Sequence, residues 1–164
     1  QGDSKVAELF GWLGVETSYQ EDSVTLTKST PKVERMEYDF INQPDLAQTF
    51  VVTCALLGIP FRFTGLQSLK IKETDRIVAL IKEMRKLGFV IKDSENSILS
   101  WEGERCTREE GAIDTYEDHR MAMAFAPASL KISDLFINNP QVVSKSYPRY
   151  WENLQTAGFI IKEE

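Results

Sequence analysis

The chain has 164 residues, 42% of them hydrophobic and 27% charged, with a formal net charge of −6 at pH 7. That is enough apolar material for one or two small cores, and the composition is not that of a disordered chain. The acidic balance excludes an extended basic face for nucleic acid. The longest apolar run, Phe50 to Phe61, is broken by Thr53, Gly58 and Pro60 and is too short to span a bilayer. Any anion site must therefore be local and its ligand small. Cys54 falls in an apolar helix and Cys106 in a polar loop. They make no metal-type pair, and a reducing compartment suits them.

From the N-terminus, the first thirty residues read α-β-β, a helix followed by a hairpin of Val15–Tyr19 and Ser23–Thr27. They look like the back half of a repeated unit (1–30). A complete β-α-β-α-β-β unit follows over 31–103. Its predicted elements are strand Val33–Phe40, helix Asp45–Leu57, strand Pro60–Thr64, helix Glu73–Leu87, and strands Phe89–Lys92 and Ile98–Glu102 around a turn at Asp93–Ser97. The pattern restarts over 104–164, with strand Ala112–Thr115, helix Asp118–Leu130, strand Asp134–Asn138, helix Ser146–Ala157 and strand Phe159–Lys162.

The repeat has a period near seventy residues. Leu87-Gly88-Phe89-Val90-Ile91-Lys92 returns as Ala157-Gly158-Phe159-Ile160-Ile161-Lys162, with a weaker copy at Leu13-Gly14-Val15-Glu16. Each glycine stands where a left-handed turn ends a helix. The chain opens on Gln1-Gly2-Asp3, without a methionine or a signal-peptide pattern. Together with the half unit at 1–30, this predicts a piece of a longer protein.

The two helices of a unit differ in kind. Phe50, Val51, Val52, Cys54, Ala55, Leu56 and Leu57 make the first apolar nearly all round, as Met121 to Ala126 do in the next unit. The second is amphipathic, with Ile77, Leu80, Ile81, Met84 and Leu87 on one face and Lys82, Glu83, Arg85 and Lys86 opposite. The expected fold class is α/β of the α+β type, with repeated β-α-β-α-β-β units, buried helices and outer mixed sheets. A Gly-rich phosphate loop and a G-x-S-x-G elbow are both absent.

Three predicted helix starts carry cations: Lys72 to Arg76, Asp118-His119-Arg120 and Ser144-Lys145-Ser146. The N-terminal end of a helix is partly positive, so a cation there is unfavourable by a few tenths to about 1 kcal/mol. Singly, each reads as an ordinary solvated turn. Asp45 after Pro44 is an ordinary helix start, and His119 is the sole histidine and an ordinary capping neighbour. Jointly, the equivalent edges of successive units face one direction, and backbone N–H groups with Lys and Arg would cradle phosphate or carboxylate. A carboxylate pair, Asp45 and Glu73, among such cations suits proton transfer on an anionic substrate.

The strings PDLAQT, LKIKETDRI, DTYEDHRMAMAFA and VSKSYPRYW, in this order and at these intervals, resemble the 3-phosphoshikimate 1-carboxyvinyltransferase (EPSP synthase) family, and the resemblance covers almost the whole chain. It implies two domains of three β-α-β-α-β-β units each. The reaction implied joins phosphoenolpyruvate to the 5-hydroxyl of shikimate 3-phosphate through a tetrahedral intermediate, releasing phosphate, with no metal or organic cofactor. By the same resemblance, Asp45 is the base near the attacking hydroxyl and Glu73 the acid that protonates the methylene carbon. Lys72 and Asp45 hold shikimate 3-phosphate, with Ser68 standing where some members carry Asn. Arg76, Arg120 and Lys145 bind phosphoenolpyruvate, at the place where glyphosate would compete, and His119 is a supporting neighbour.

The family's N-terminal Lys-Ser segment, its Arg-bearing substrate residues and its Ser-Ser-Gln site have no counterpart here. The expected partner is therefore the N-terminal portion of the same enzyme, with the isolated chain folded but inactive and with neither nucleic acid nor membrane as partner. The expected location is bacterial cytoplasm, or a plastid. Two other readings stay open: the sister enzyme acting on UDP-N-acetylglucosamine, and a non-catalytic anion-binding or scaffold module of this architecture.

Overall fold

In the computed structural model, residues 2–71 and 75–162 are described. The alternation in the opening segment forms an antiparallel hairpin of β1 (Val15–Tyr19) and β2 (Val24–Lys28), packed beside the short helix α1 (Val6–Trp12). The second strand lies one residue later than the pattern suggests. Tyr19 faces Val24, and Gln20 N donates to Ser23 O at 2.9 Å to close the turn.

The next stretch follows the expected order: β3 (Met36–Asp39), α2 (Ala47–Leu57), β4 (Phe61–Thr64), α3 (Arg76–Lys86), β5 (Lys92–Ser94) and β6 (Ile98–Trp101). The four strands form one mixed sheet in the order β3-β4-β6-β5. The β3/β4 pair is parallel and the others antiparallel. A parallel pair needs a crossover, and α2 supplies it. Phe50, Val51, Val52, Cys54 and Ala55 are all buried, so α2 is enclosed over this stretch, whereas Leu57 in its last turn is exposed, unlike the expectation from composition. It ends at Gly58, whose φ of 73° is the left-handed conformation that glycine adopts without strain. Burial pushes the Cys54 thiol up to about 12, and its Sγ lies 3.6 Å from Met36 Sδ, which makes it a core residue.

Helix α3 is amphipathic, with Ile77, Leu80 and Met84 buried. The sequence pattern placed Glu83 on its polar face, and here the structure differs. Glu83 is fully buried, because the segment from Ala112 to Tyr116 crosses that face and supplies its partners.

The hairpin after α3 is also shifted. The predicted strand Phe89–Lys92 becomes β5 at Lys92–Ser94, since Glu95 and Asn96 take the two left-handed positions of the turn (φ 56° and 53°). Phe89 instead bridges Arg105, and Val90 N donates to Glu104 O at 3.1 Å, beyond Gly103.

The third stretch has fewer strands than expected, and its helices are broken differently. Helix α4 (His119–Phe125) gives way to a 3-10 turn, Ala126–Leu130, at Pro127, which has no N–H to continue the helical ladder. The predicted helix from Ser146 starts later, as α5 (Tyr150–Thr156), after Pro148. Ala112–Thr115 and Asp134–Asn138 contribute a single parallel bridge, Ile113 to Ile137, and Phe159–Lys162 is not a strand. A strand exists only where a neighbour takes its hydrogen bonds. Among the described residues no third segment lies beside this bridge. The enclosed pair α2 and α4 packs together, with the mixed sheet outside it.

At the end of β4, Gly65 brings the chain against β3. A Cβ there would lie 2.1 Å from Asp39 Oδ1 and 2.4 Å from Ile41 N, at a φ of 75°. Gly65→Ala should lower unfolding stability in urea by about 2 kcal/mol or more. Gly58→Ala, where a Cβ meets nothing within 4 Å, should lower it by about 1 kcal/mol at most. Equal losses at the two positions would contradict the close approach of Gly65 to β3.

Candidate functional site

Three helix beginnings meet at one place. Pro44 opens a 3-10 turn, Pro44–Leu46, that leads into α2 and carries Asp45 in its first turn. Arg76 is the first residue of α3, whose cap Asp75 accepts hydrogen bonds from Ile77 N at 3.1 Å and Val78 N at 3.2 Å. Asp118 caps α4 by accepting from Arg120 N at 2.9 Å.

The side chains of these residues form a continuous ionic chain. Arg76 Nε donates to Asp118 Oδ2 at 2.5 Å and Arg76 Nη2 to Asp118 Oδ1 at 3.3 Å, a fork-to-fork pair. Arg76 Nη1 donates to Asp45 Oδ1 at 2.7 Å, and Arg120 Nη2 to Asp45 Oδ2 at 2.9 Å. Burial runs from one end to the other. The side chains of Asp118 and Arg76 are 0% and 1% exposed, and those of Asp45 and Arg120 are 26% and 27% exposed. The inner end is sealed; the outer end faces solvent.

Lys145 joins from a separate segment, its Nζ 3.4 Å from the carbonyl of Glu117, the residue before Asp118. Ser68 is half-buried in the 3-10 turn Gln67–Ile71, which packs against Pro44–Leu46. His119 is the first residue of α4. The expected Lys72 and Glu73 lie outside the described residues. The structure thus brings Asp45, Arg76, Arg120 and Lys145 to one neighbourhood.

The reading of three cationic helix starts needs correction on two counts. Lys145 is not at a helix start: it is the last residue of the 3-10 turn Pro140–Lys145, five residues before α5, at the end where a cation is favoured. Where a cation does open a helix, at Arg76 and Arg120, protein carboxylates already meet it. Asp118 was readable only as a cap. Its role as the buried partner of Arg76 joins residues 42 apart, which local spacing does not report.

Chemically, the outer end offers an exchangeable ion pair. An incoming carboxylate or phosphate can compete with Asp45 for the Arg120 guanidinium. Lys145 is exposed nearby and adds a point charge. Among the described residues, no group of three or more His, Cys, Asp or Glu side chains could hold a metal ion, and no helix is long and apolar enough to cross a membrane. A cleft of about 340 Å³ lined by Gly88, Arg105, Cys106 and Lys131 lies elsewhere and contains none of the predicted site residues.

A family model described as EPSP synthase (3-phosphoshikimate 1-carboxyvinyltransferase) matches residues 1–154. A 3-phosphoshikimate 1-carboxyvinyltransferase of Bacteroides fragilis is 62% identical over 163 residues, which is 99% of this chain and 40% of that protein. A relative of the same name from Nicotiana tabacum is 33% identical over 162 residues, 94% of this chain and 47% of its own length. A solved structure of EPSP synthase from Acinetobacter baumannii superposes with a TM-score of 0.69 at 19% identity, over 99% of this chain and 40% of that one, a likeness of fold. The chain spans about 40% of the length of the Bacteroides relative.

The burial gradient sets an order of stability effects. Asp118→Asn leaves Arg76 buried with a weakened partner and should lower unfolding stability by about 3 kcal/mol. Arg120→Met, at the exposed end, should lower it by about 1 kcal/mol or less. Urea titrations of the two variants check this, and a larger loss for Arg120→Met would contradict the sealed inner end.

Proposed function

The chain belongs to the EPSP synthase family, and from that premise we propose that it supplies one wall of the active site of a 3-phosphoshikimate 1-carboxyvinyltransferase. The reaction transfers the enolpyruvyl group of phosphoenolpyruvate to the 5-hydroxyl of shikimate 3-phosphate. The observation that carries the reading is the half-exposed Asp45 carboxylate shared between Arg76 and Arg120, with Lys145 nearby.

In this reading Arg120 and Lys145 meet the phosphate and carboxylate of phosphoenolpyruvate first. Arg76 is deeply buried, so it reaches the ligand only as Asp45 turns away. Asp45, once Arg120 turns to the ligand, faces the attacking hydroxyl. It then takes the proton of the attacking hydroxyl, while Glu73 delivers one to the methylene carbon. The hydroxyl oxygen bonds to the central carbon of phosphoenolpyruvate, giving a tetrahedral intermediate. Loss of a methyl proton and departure of phosphate restore the double bond in the product. Lys72, Asp45 and Ser68 hold shikimate 3-phosphate. The repeated units at 1–30, 31–103 and 104–164 belong to one domain of the enzyme, and the bacterial cytoplasm is its place of work.

Turnover requires closure around both substrates and exclusion of water. We therefore assign the remaining contacts to the part of the relatives that this chain does not span. The relatives named above act, by name, on 3-phosphoshikimate, which favours this reading over the UDP-sugar enzyme and over a scaffold.

The test is a chimera in which this chain replaces the matching segment of the Bacteroides fragilis protein, assayed by phosphate release from the two substrates. Turnover is expected, with Asp45→Asn and Glu73→Gln each lowering kcat about 100-fold or more. Lys145→Ala should raise the KM for phosphoenolpyruvate about tenfold. A folded chimera without turnover would sink the enzyme reading, and the chain alone turning over would overturn the assignment of contacts to the remainder.

A further inference from the structure

A second buried carboxylate, outside the ionic chain, lies on the same helix. Glu83 is 0% exposed and accepts three hydrogen bonds or ion pairs: from Tyr116 OH at 2.6 Å, from Asp114 N at 3.1 Å and from Lys86 Nζ at 2.7 Å. Lys86 Nζ reaches the same segment again, donating to Ala112 O and to Asp114 Oδ2, each at 2.9 Å. Lys82 Nζ stands 5.7 Å from the Tyr116 ring centre. Three side chains of α3 therefore grip residues 112–116, and a fourth, Arg76, grips Asp118.

Between these attachments lie the strained residues. Tyr116 and Glu117 both have positive φ, 54° and 56°, although neither is glycine. Such conformations are costly and persist only where the surroundings over-determine them. The carbonyl of Glu117 faces Lys145, and the next residue is Asp118.

We infer that Glu83 and Tyr116 are positioning residues. Their hydrogen bond holds the Tyr116–Glu117 bend, and the bend sets Asp118 against Arg76 and the Glu117 carbonyl against Lys145. Glu83 lies seven residues from Arg76, about two helical turns or roughly 10 Å along α3. One rigid helix thus fixes both ends of the bend. Burial and the bond to Glu83 push the Tyr116 phenol above its ordinary range, so it remains a donor. Burial works against the charge on Lys86, but its bonds to Glu83 and Asp114 outweigh this and hold it above its ordinary value.

The inference deepens the proposed function and rests on it for the ligand concerned. Its first test is made on the 164-residue chain and needs no turnover. Tyr116→Phe keeps the ring and removes only the hydroxyl. In solution NMR, the Glu117 backbone coupling should leave the value of a positive φ, and the Arg76 Nε–H signal should shift and exchange faster with solvent. Glu83→Gln should do the same, and if that variant does not fold, Tyr116→Phe still decides. In the active chimera, Tyr116→Phe should raise the KM for phosphoenolpyruvate about tenfold with kcat changed less than about threefold. A merely structural role would lower thermal stability and leave KM in place. Retention of the positive φ at Glu117 in Tyr116→Phe, or an unchanged KM in an active chimera, would overturn the inference. A chimera inactive with the unsubstituted chain would sink the functional reading alone, with the NMR result deciding the positioning.

Discussion

A guanidinium as deeply buried as that of Arg76 persists only where carboxylates meet its charge and acceptors meet its N–H groups. Asp118 and Asp45 provide both, one from the cap of α4 and the other from the turn before α2. Desolvating an ion is expensive, so separating any of the three segments would strand a charge in an apolar surrounding. The beginnings of α2, α3 and α4 are therefore bound to one another through Arg76. The apolar contact of α2 with α4 brings the helices together, and the ionic chain fixes which ends meet.

The same arrangement settles how a cation can open a helix. A positive first turn is unfavourable by itself, yet both α3 and α4 have one. Asp75 and Asp118 cap these helices with carboxylates, and Asp45 pairs the two arginines from outside. The compensating anion is built into the protein at the inner end. At the outer end the pair of Asp45 and Arg120 is partly exposed. This gradient gives the ionic chain a direction, from the sealed Asp118 to the solvent-facing Arg120.

Much of this was legible in the sequence. The enclosed helix α2 followed from a run of apolar residues on every face, and its end followed from Gly58. The order β-α-β-α-β-β followed from alternating periods punctuated by glycine and proline. Asp45, Arg76 and Arg120 stand out by their charge at predicted helix starts, and in the fold they meet. What stayed hidden depends on partners distant in sequence. Glu83 looked like a solvent-facing residue because the segment that covers it lies about thirty residues further on. The strand assigned to Phe159–Lys162 was a correct reading of composition, but composition does not supply the neighbour that a strand needs. Lys145 was misplaced because Pro148 delays the helix that its spacing suggested.

Helix α3 then has a part beyond packing. Its apolar face fills the core through Ile77, Leu80 and Met84, as its periodicity dictates. Its other residues, Arg76, Lys82, Glu83 and Lys86, all engage one short segment that ends at Asp118. Strain at Tyr116 and Glu117 is maintained because both flanks of the bend are tied to a single rigid element. If the two flanks were held by different helices, small shifts between them would relax the bend and misplace the Glu117 carbonyl. With one helix holding both, the spacing between attachments is set by the helical rise. The position of Asp118 and of the Glu117 carbonyl then depends on the register of α3 more than on the loop that carries them.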